Sequence, residues 1–210
     1  MTLTDYGLTV LCSWFAWNLY LQRTPASQCR VLWPLFFGSL AVASLTGGTV
    51  HGFFLDTSTV GYRLLWPTTL LAIGVTAASA WILAGVFISK SVSSLKKWGL
   101  FAAILFLIYS TVVFFYSQRF VVVIWNYVPA MVALLVVSVR EYERTRSTPF
   151  LFVTGGILVT LVAAFIQQVR LGIHHHYFNH NATYHLVQAI GLYLMFKGAK
   201  DLTRIERISQ

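Results

Sequence analysis

Long blocks of apolar residues, separated by short polar breaks, follow one another along the whole chain. A bilayer core needs about 20 mostly apolar residues for each helix that crosses it, and seven blocks approach or exceed that length. The breaks carry charged residues, Pro, Ser and Thr, which are typical of turns. The pattern predicts an all-α, multi-pass membrane protein with one seven-helix transmembrane domain over residues 1–210. The predicted helices lie at approximately 4–21, 31–53, 62–89, 98–117, 120–139, 150–172 and 182–199.

The composition favours a membrane location over a soluble one. Hydrophobic residues make up 57% of the chain, charged residues 10%, and the mean hydropathy is +0.70, whereas a typical soluble domain has roughly 25% charged residues. The excess of 15 Lys and Arg over six Asp and Glu would suggest nucleic acid binding in a soluble protein. Here the basic residues lie between apolar blocks, so we interpret them as topology determinants and expect no nucleic acid partner.

The distribution of Lys and Arg predicts how the bundle is oriented. Basic residues near the ends of spans are retained on the cytoplasmic side of a membrane. If the seven blocks all cross, 12 of these residues fall on the side of the C-terminus and three on the side of the N-terminus. We therefore predict that the N-terminus lies outside and the C-terminus in the cytoplasm, in a plasma or inner membrane.

The six histidines form two groups that the predicted topology brings to the outer end of the bundle. His51 lies near the end of the second helix, and the other five surround the start of the seventh. His51 and His185 can share one depth in the membrane. Histidine nitrogens from separate helices, together with a carboxylate, are the ligands that a divalent metal such as zinc requires. The alternative for His51 is a polar side chain that is hydrogen-bonded to a neighbouring helix.

Other polar residues near these histidines are candidates for the same site. Asp56 follows His51 by five residues, although the segment from Asp56 also fits the cap of the next helix. On the seventh helix Asn181, His185 and Gln188 share one face, and an intramembrane polar stripe indicates a functional site. His180 precedes this stripe by one residue and joins it only if the first turn is irregular, which we expect.

Three further residues complete the candidate set. Ser44 lies two turns before His51 on the same helix face. Asn126 and Gln167 lie in the outer halves of the fifth and sixth helices, where they either line the site or form hydrogen bonds between helices. The run of three histidines at 174–176 is more typical of a wet interfacial loop than of a ligand set.

Two short motifs in this arrangement resemble the superfamily of seven-span membrane hydrolases that includes alkaline ceramidases and the progestin and adiponectin receptors. The first is a helix two with Ser and small residues that ends in His, followed by an Asp. The second is a last helix that opens with paired histidines. In this chain the motifs are Ser-Leu-Thr-Gly-Gly-Thr-Val-His at 44–51 with Asp56, and His-Asn-Ala-Thr-Tyr-His at 180–185.

The resemblance implies a zinc ion held by His51, His180 and His185, with Asp56 and Ser44 attending the zinc-bound water while a lipid amide is hydrolysed. This chain departs from the family pattern in the last helix. The family spaces its two histidines as His-x-x-x-His, and alignment on His185 places Asn181 at the first of them.

The residues and the resemblance leave three functions open. The first is a metal-dependent membrane hydrolase of a lipid amide or ester, in which Asp56 orients or deprotonates the water. The second is haem binding between His51 and His185. The third is a non-catalytic lipid-binding receptor or transporter-like protein that uses its histidines for hydrogen bonds between helices.

Overall fold

Seven α-helices make up the secondary structure over the residues that the structure describes, 2–22, 28–89, 91–173 and 179–205. The structure is a computed structural model, and it confirms the all-α fold. The helices are α1 Thr2–Tyr20, α2 Cys29–Phe53, α3 Val60–Ile88, α4 Val92–Phe115, α5 Phe120–Thr145, α6 Thr148–Gln168 and α7 His180–Ile205.

Five of these helices, α2 to α6, are long and apolar enough to cross a membrane. Large hydrophobic side chains also cover much of the bundle's outer surface, such as Leu100, Ile104 and Leu107 on α4. An aqueous environment disfavours contiguous apolar surface of this extent, whereas lipid accommodates it. The chain is therefore a multi-pass membrane protein.

The polar ends of several helices extend beyond the apolar blocks. Helix α4 begins at Val92, where the Ser91 side chain accepts a hydrogen bond from the Ser94 N–H, although the sequence predicts a break as late as Lys97. Helix α5 continues to Thr145 through a segment that the sequence predicts as a loop. The predicted ends are wrong here because a helix that leaves the apolar region can continue with polar side chains facing water.

Helices α1 and α7 run parallel. The Thr4 hydroxyl contacts the His185 ring near the start of both helices. One helix length later, the Thr203 hydroxyl donates a hydrogen bond to the Gln22 side chain. This relationship places the beginnings of α1 and α7 at the same end of the bundle.

Helices α2 and α3 are joined by two pairs of hydroxyl groups. The Ser39 and Thr76 hydroxyl oxygens are 2.7 Å apart, and those of Thr46 and Thr69 are 2.8 Å apart. The two pairs are about two helical turns apart along each helix. This spacing is expected where two antiparallel helices contact each other along a single face. Such hydrogen bonds stabilise helix packing in an apolar environment. Thr69 of the second pair also lines a cavity at this end of the helices.

Candidate functional site

The carboxylate of Asp5 lies between two histidine rings from different helices. Its Oδ1 atom is 3.2 Å from His185 Nε2, and its Oδ2 atom is 3.6 Å from His51 Nδ1. The Asp5 side chain is 7% exposed, His185 is 10% exposed and His51 is 32% exposed. Helices α1, α2 and α7 therefore bring one carboxylate and two imidazoles together, with His51 as the most accessible of the three.

The two atoms at which Asp5 and His51 approach each other have no hydrogen-bond partner within the described part of the chain. Asp5 Oδ2 and His51 Nδ1 are both buried and unpaired, and their separation exceeds the usual hydrogen-bond length. Buried polar atoms are almost always paired, so each exception calls for an explanation. A proton, a water molecule or a cation between the carboxylate and the ring would supply the missing partner.

The close approach of α1 to α2 depends on a glycine. A Cβ atom on Gly48 would lie 2.6 Å from the Asp5 Cβ atom, a distance that real Cβ contacts do not show. Gly48 lies one turn before His51 on α2. The absence of a side chain at this position allows the Asp5 carboxylate to lie beside the His51 ring.

The three residues open onto a cavity of about 290 Å³. Its lining combines polar groups on α1, α2, α6 and α7 with apolar and aromatic groups on α2, α3 and α5. Cavities with this mixture are typical of small-molecule sites, because apolar walls bind a ligand's body and a few polar groups orient it. The lining residues are Asp5, Leu8, Leu40, Ala43, Ser44, Gly47, His51, Trp66, Thr69, Ile73, Phe120, Gln167, Asn181, Tyr184, His185 and Gln188.

A second cavity of about 260 Å³ shares part of this lining. Gln167 and Gln188 line both cavities, together with four apolar or aromatic residues. The remainder of the second cavity is mostly apolar and is formed by α5 and α6, including Val123, Ile124 and Leu161. We call the first cavity, which contains Asp5, His51 and His185, the polar chamber, and the second the apolar chamber. The two adjoin, and the carboxamide side chains of Gln167 and Gln188 lie at their junction.

Six of the residues predicted from the sequence line the polar chamber. They include Gln167 and Asn181, whose side chains are joined by a hydrogen bond of 3.2 Å from Nε2 to Oδ1. The full set is Ser44, His51, Gln167, Asn181, His185 and Gln188.

Asp56 is not part of this group. It lies in the exposed α2–α3 loop, where its Oδ1 atom accepts a hydrogen bond of 2.8 Å from the Ser58 N–H. This hydrogen bond lowers the pKa of the Asp56 carboxyl below its ordinary value. The structure does not bring Asp56 to His51 and His185, because its carboxylate forms the turn that leads into α3, and the Thr59 hydroxyl caps that helix.

His180 also lies outside the described cavity lining. The Asn179 side chain accepts a hydrogen bond from the Ala182 N–H, and the Thr183 N–H donates to the Asn179 carbonyl with ordinary α-helical spacing. The expected irregular first turn is therefore absent, and a regular helix directs Asn181 rather than His180 toward His185. The predicted ligand set of His51, His180 and His185 is not assembled.

The remaining predicted residues lie elsewhere or outside the described residues. Asn126 is absent from the described lining of both cavities, and its Nδ2 atom is buried without a hydrogen-bond partner there. The histidines at 174–176 lie outside the described residues.

Sequence reasoning missed Asp5 as a site residue, although a signal was present. Asp5 is the one acid of the first apolar block, and an acid in a block that crosses a membrane is usually functional. Its position relative to His51 and His185 depends on how α1 packs against α2 and α7, which the sequence does not specify. In the described part of the chain, no three His, Cys, Asp or Glu residues already converge as metal ligands do.

Comparison with known proteins gives a family but no activity. Residues 1–204 match the family of unknown function DUF6962. No curated protein and no solved structure matches the chain significantly. Because the match covers nearly the whole sequence, the chain belongs to the DUF6962 family.

Proposed function

We propose that this protein is a membrane-embedded hydrolase of a lipid amide or ester, and that Asp5, His51 and His185 hold a divalent metal ion such as zinc. The observation that carries the proposal is the buried Asp5 carboxylate in contact with two imidazoles. In this assignment Asp5 provides the third protein ligand in place of His180. Two histidines and one carboxylate are a known catalytic zinc ligand set, which leaves one position for water or substrate.

The two contacts of Asp5 support this assignment. Ligand atoms on one tetrahedral zinc ion are roughly 3 to 3.5 Å apart, because each zinc–ligand bond is about 2.0 to 2.2 Å long. The two observed contacts of Asp5, at 3.2 and 3.6 Å, are close to that separation. The two rings approach different oxygens of the carboxylate, so metal binding requires them to turn toward a common point. The unpaired Asp5 Oδ2 and His51 Nδ1 atoms would gain partners by that movement.

The chain's other residues have roles that follow from their places in the two cavities. A bound metal ion lowers the pKa of water to about 7 and polarises a carbonyl group. Ser44 can donate its hydroxyl to a substrate oxygen, since it lines the polar chamber. Gln167, Asn181 and Gln188 orient the polar part of the lipid, and the apolar chamber of α5 and α6 binds its chain and excludes water.

Seven membrane crossings with the N-terminus outside complete the proposal. The parallel arrangement of α1 and α7 supports an odd number of crossings, and the 12 to three distribution of Lys and Arg supports the direction. The site then lies at the outer face of a plasma or inner membrane. Reporter fusions at Lys97 and Arg144 are expected to report the cytoplasm, and an external signal at either position would reverse the orientation.

Metal analysis of the detergent-purified full chain tests the metal site. We expect about one zinc per chain in the wild type and its loss in Asp5→Asn, His51→Ala and His185→Ala. Asp56→Asn and His180→Ala are matched controls, because they remove a carboxylate and an imidazole that lie outside the described cavity lining. Absence of stoichiometric metal from a folded wild type, after growth and purification with added zinc, would contradict the proposal.

Hydrolysis is tested with fluorescent lipids that differ only in an N-acyl or O-acyl linkage, presented in detergent micelles. We expect turnover that requires Asp5 and does not require Asp56.

The second candidate is a lipid-binding protein without catalytic activity. The apolar chamber favours it, because that chamber can hold a lipid chain whether or not a metal binds nearby. Saturable lipid binding by a protein that lacks both metal and turnover would support it.

The haem hypothesis gains no support from the structure, since the Asp5 carboxylate lies between the two nitrogens where a haem iron would have to lie.

A further inference from the structure

We propose that Thr4 is a positioning residue for His185: the Thr4 hydroxyl holds the imidazole with Nε2 facing the Asp5 carboxylate, which then keeps the ring proton on Nε2. The Thr4 Oγ1 atom is 2.8 Å from His185 Nδ1, and His185 Nε2 is 3.2 Å from Asp5 Oδ1. This inference rests on the proposed function in one respect, namely that His185 belongs to the proposed site.

Consecutive residues of α1 contact both nitrogens of one ring. Successive side chains on an α-helix diverge by about 100°, so Thr4 and Asp5 approach the ring from two directions. His185 itself is buried on α7. A half-turn of the imidazole would exchange its ring atoms and break both contacts, so the pair defines a single ring orientation.

Thr4 contacts the ring nitrogen of His185 that does not face Asp5. A hydroxyl, an imidazole and a carboxylate in this order also resemble a nucleophile, its base and the group that orients the base. Asp5 and His185 line the polar chamber, whereas Thr4 is absent from its described lining. The hydroxyl therefore does not face a substrate in that chamber, and its role is to hold the ring.

The chemistry of the two partners fixes the proton. An ionised carboxylate only accepts hydrogen bonds, so in the metal-free protein Nε2 carries the proton and donates it to Asp5. His185 Nδ1 then accepts a hydrogen bond from the Thr4 O–H. If Nε2 binds a cation instead, the proton lies on Nδ1 and is donated to Thr4 Oγ1. A hydroxyl can serve in both states because it is both donor and acceptor, whereas a valine side chain can serve in neither.

The test compares Thr4→Val, which removes the hydroxyl and keeps the shape, with Thr4→Ser, which keeps the hydroxyl. Thr9→Val is the matched control, since Thr9 is on the same helix and its hydroxyl donates to the backbone carbonyl of Asp5. Nitrogen-15 NMR of histidine side chains in metal-free protein reads the tautomer directly. The signal that disappears in His185→Asn identifies His185.

We expect the Nε2–H tautomer in the wild type, in Thr4→Ser and in Thr9→Val, and a mixture of tautomers in Thr4→Val, because without the hydroxyl the ring is no longer held with Nε2 facing Asp5. Zinc titration should give a dissociation constant about 10 to 100 times higher for Thr4→Val than for Thr4→Ser, the usual effect of removing a partner of a metal-bound histidine. If Thr4→Val does not fold, Thr4→Ala provides the same comparison without the branched side chain.

An unchanged tautomer in both hydroxyl-free variants, or an Nδ1–H tautomer in the metal-free wild type, would overturn the role of Thr4. The failure of the metal proposal has a different signature. In that case no variant binds zinc, while the metal-free NMR comparison still distinguishes valine from serine.

Discussion

Gly48 on α2 faces the Cβ atom of Asp5 on α1 so closely that a methyl group at this glycine would lie 2.6 Å from it. Asp5 is also the residue that joins His51 to His185. The packing of α1 against α2 and the assembly of the site therefore both depend on the contact between Gly48 and Asp5. A change at Gly48 should act on the site although glycine has no functional group.

We predict that Gly48→Ala moves α1 away from α2 and separates Asp5 from His51. Overpacking of this kind typically costs about 1 to 3 kcal/mol, and thermal unfolding in detergent would measure it. Zinc content, if the proposed site is correct, should fall in the variant that remains folded. Gly7→Ala is the control, because a Cβ atom at Gly7 meets nothing within 4 Å. Equal melting temperatures for the two variants would show that α1 does not depend on this contact.

The comparison of Asp5 with Asp56 shows where the sequence is informative. Apolar blocks correctly indicate the helices, and the polar stripe of α7 correctly indicates that Asn181, His185 and Gln188 share a face. The acid of the site cannot be chosen this way. Asp56 is near His51 in sequence but forms a local turn, whereas Asp5 reaches His51 only because α1 packs against α2 at Gly48.

The turn at Asp56 gives a prediction about pH. Because the Ser58 N–H stabilises the ionised carboxylate, the pKa of Asp56 lies below the ordinary value near 3.9. A lowered folded-state pKa means that the turn's contribution to stability is present above the unfolded-state pKa and is lost as the pH falls through the folded value. Carbon-13 NMR titration of the carboxyl group measures this pKa.

Ser58→Ala supplies the control for this titration. It keeps the backbone N–H, the main cause of the shift, and removes only the hydroxyl. We therefore expect most of the lowering to remain. A return to an ordinary aspartate value in Ser58→Ala would show that the hydroxyl, and not the backbone, stabilises the carboxylate.

Helix α5 ends in a backbone conformation that disfavours its own residue. Arg146 follows the last helical residue with φ of 53° and ψ of 24°, the left-handed region that glycine adopts most readily. We predict that Arg146→Gly raises the free energy of unfolding by up to about 1 kcal/mol and that Arg146→Val lowers it. Thermal unfolding in detergent distinguishes the two. A lower melting temperature for the glycine variant would show that the Arg146 side chain, which lies over the Tyr142 ring, contributes more than the strain removes.

The helix that carries His185 approaches α6 closely at two glycines. A Cβ atom on Gly156 would lie 2.6 Å from the Gly191 carbonyl oxygen, and one on Gly191 would lie 2.7 Å from the Gly156 carbonyl oxygen. The Met195 side chain also lies within 2.5 Å of the first of these positions, but the two carbonyl oxygens are backbone atoms, which cannot move aside as the end of a flexible side chain can. Close backbone approach at small residues is a common way for helices to associate in membranes.

We predict that Gly156→Ala forces α6 and α7 apart and destabilises the bundle by about 1 to 3 kcal/mol. The adjacent Gly155→Ala is the matched control, since a Cβ atom there meets nothing within 4 Å, and alanine in a helix interior is about 1 kcal/mol more favourable than glycine. The two variants should therefore shift the melting temperature in opposite directions. Because α7 also carries Asn181 and Gln188, the hydrogen bond from Gln167 on α6 to Asn181 should weaken only in Gly156→Ala. A stabilising effect of Gly156→Ala equal to that of Gly155→Ala would mean that the two helices are not held at this distance.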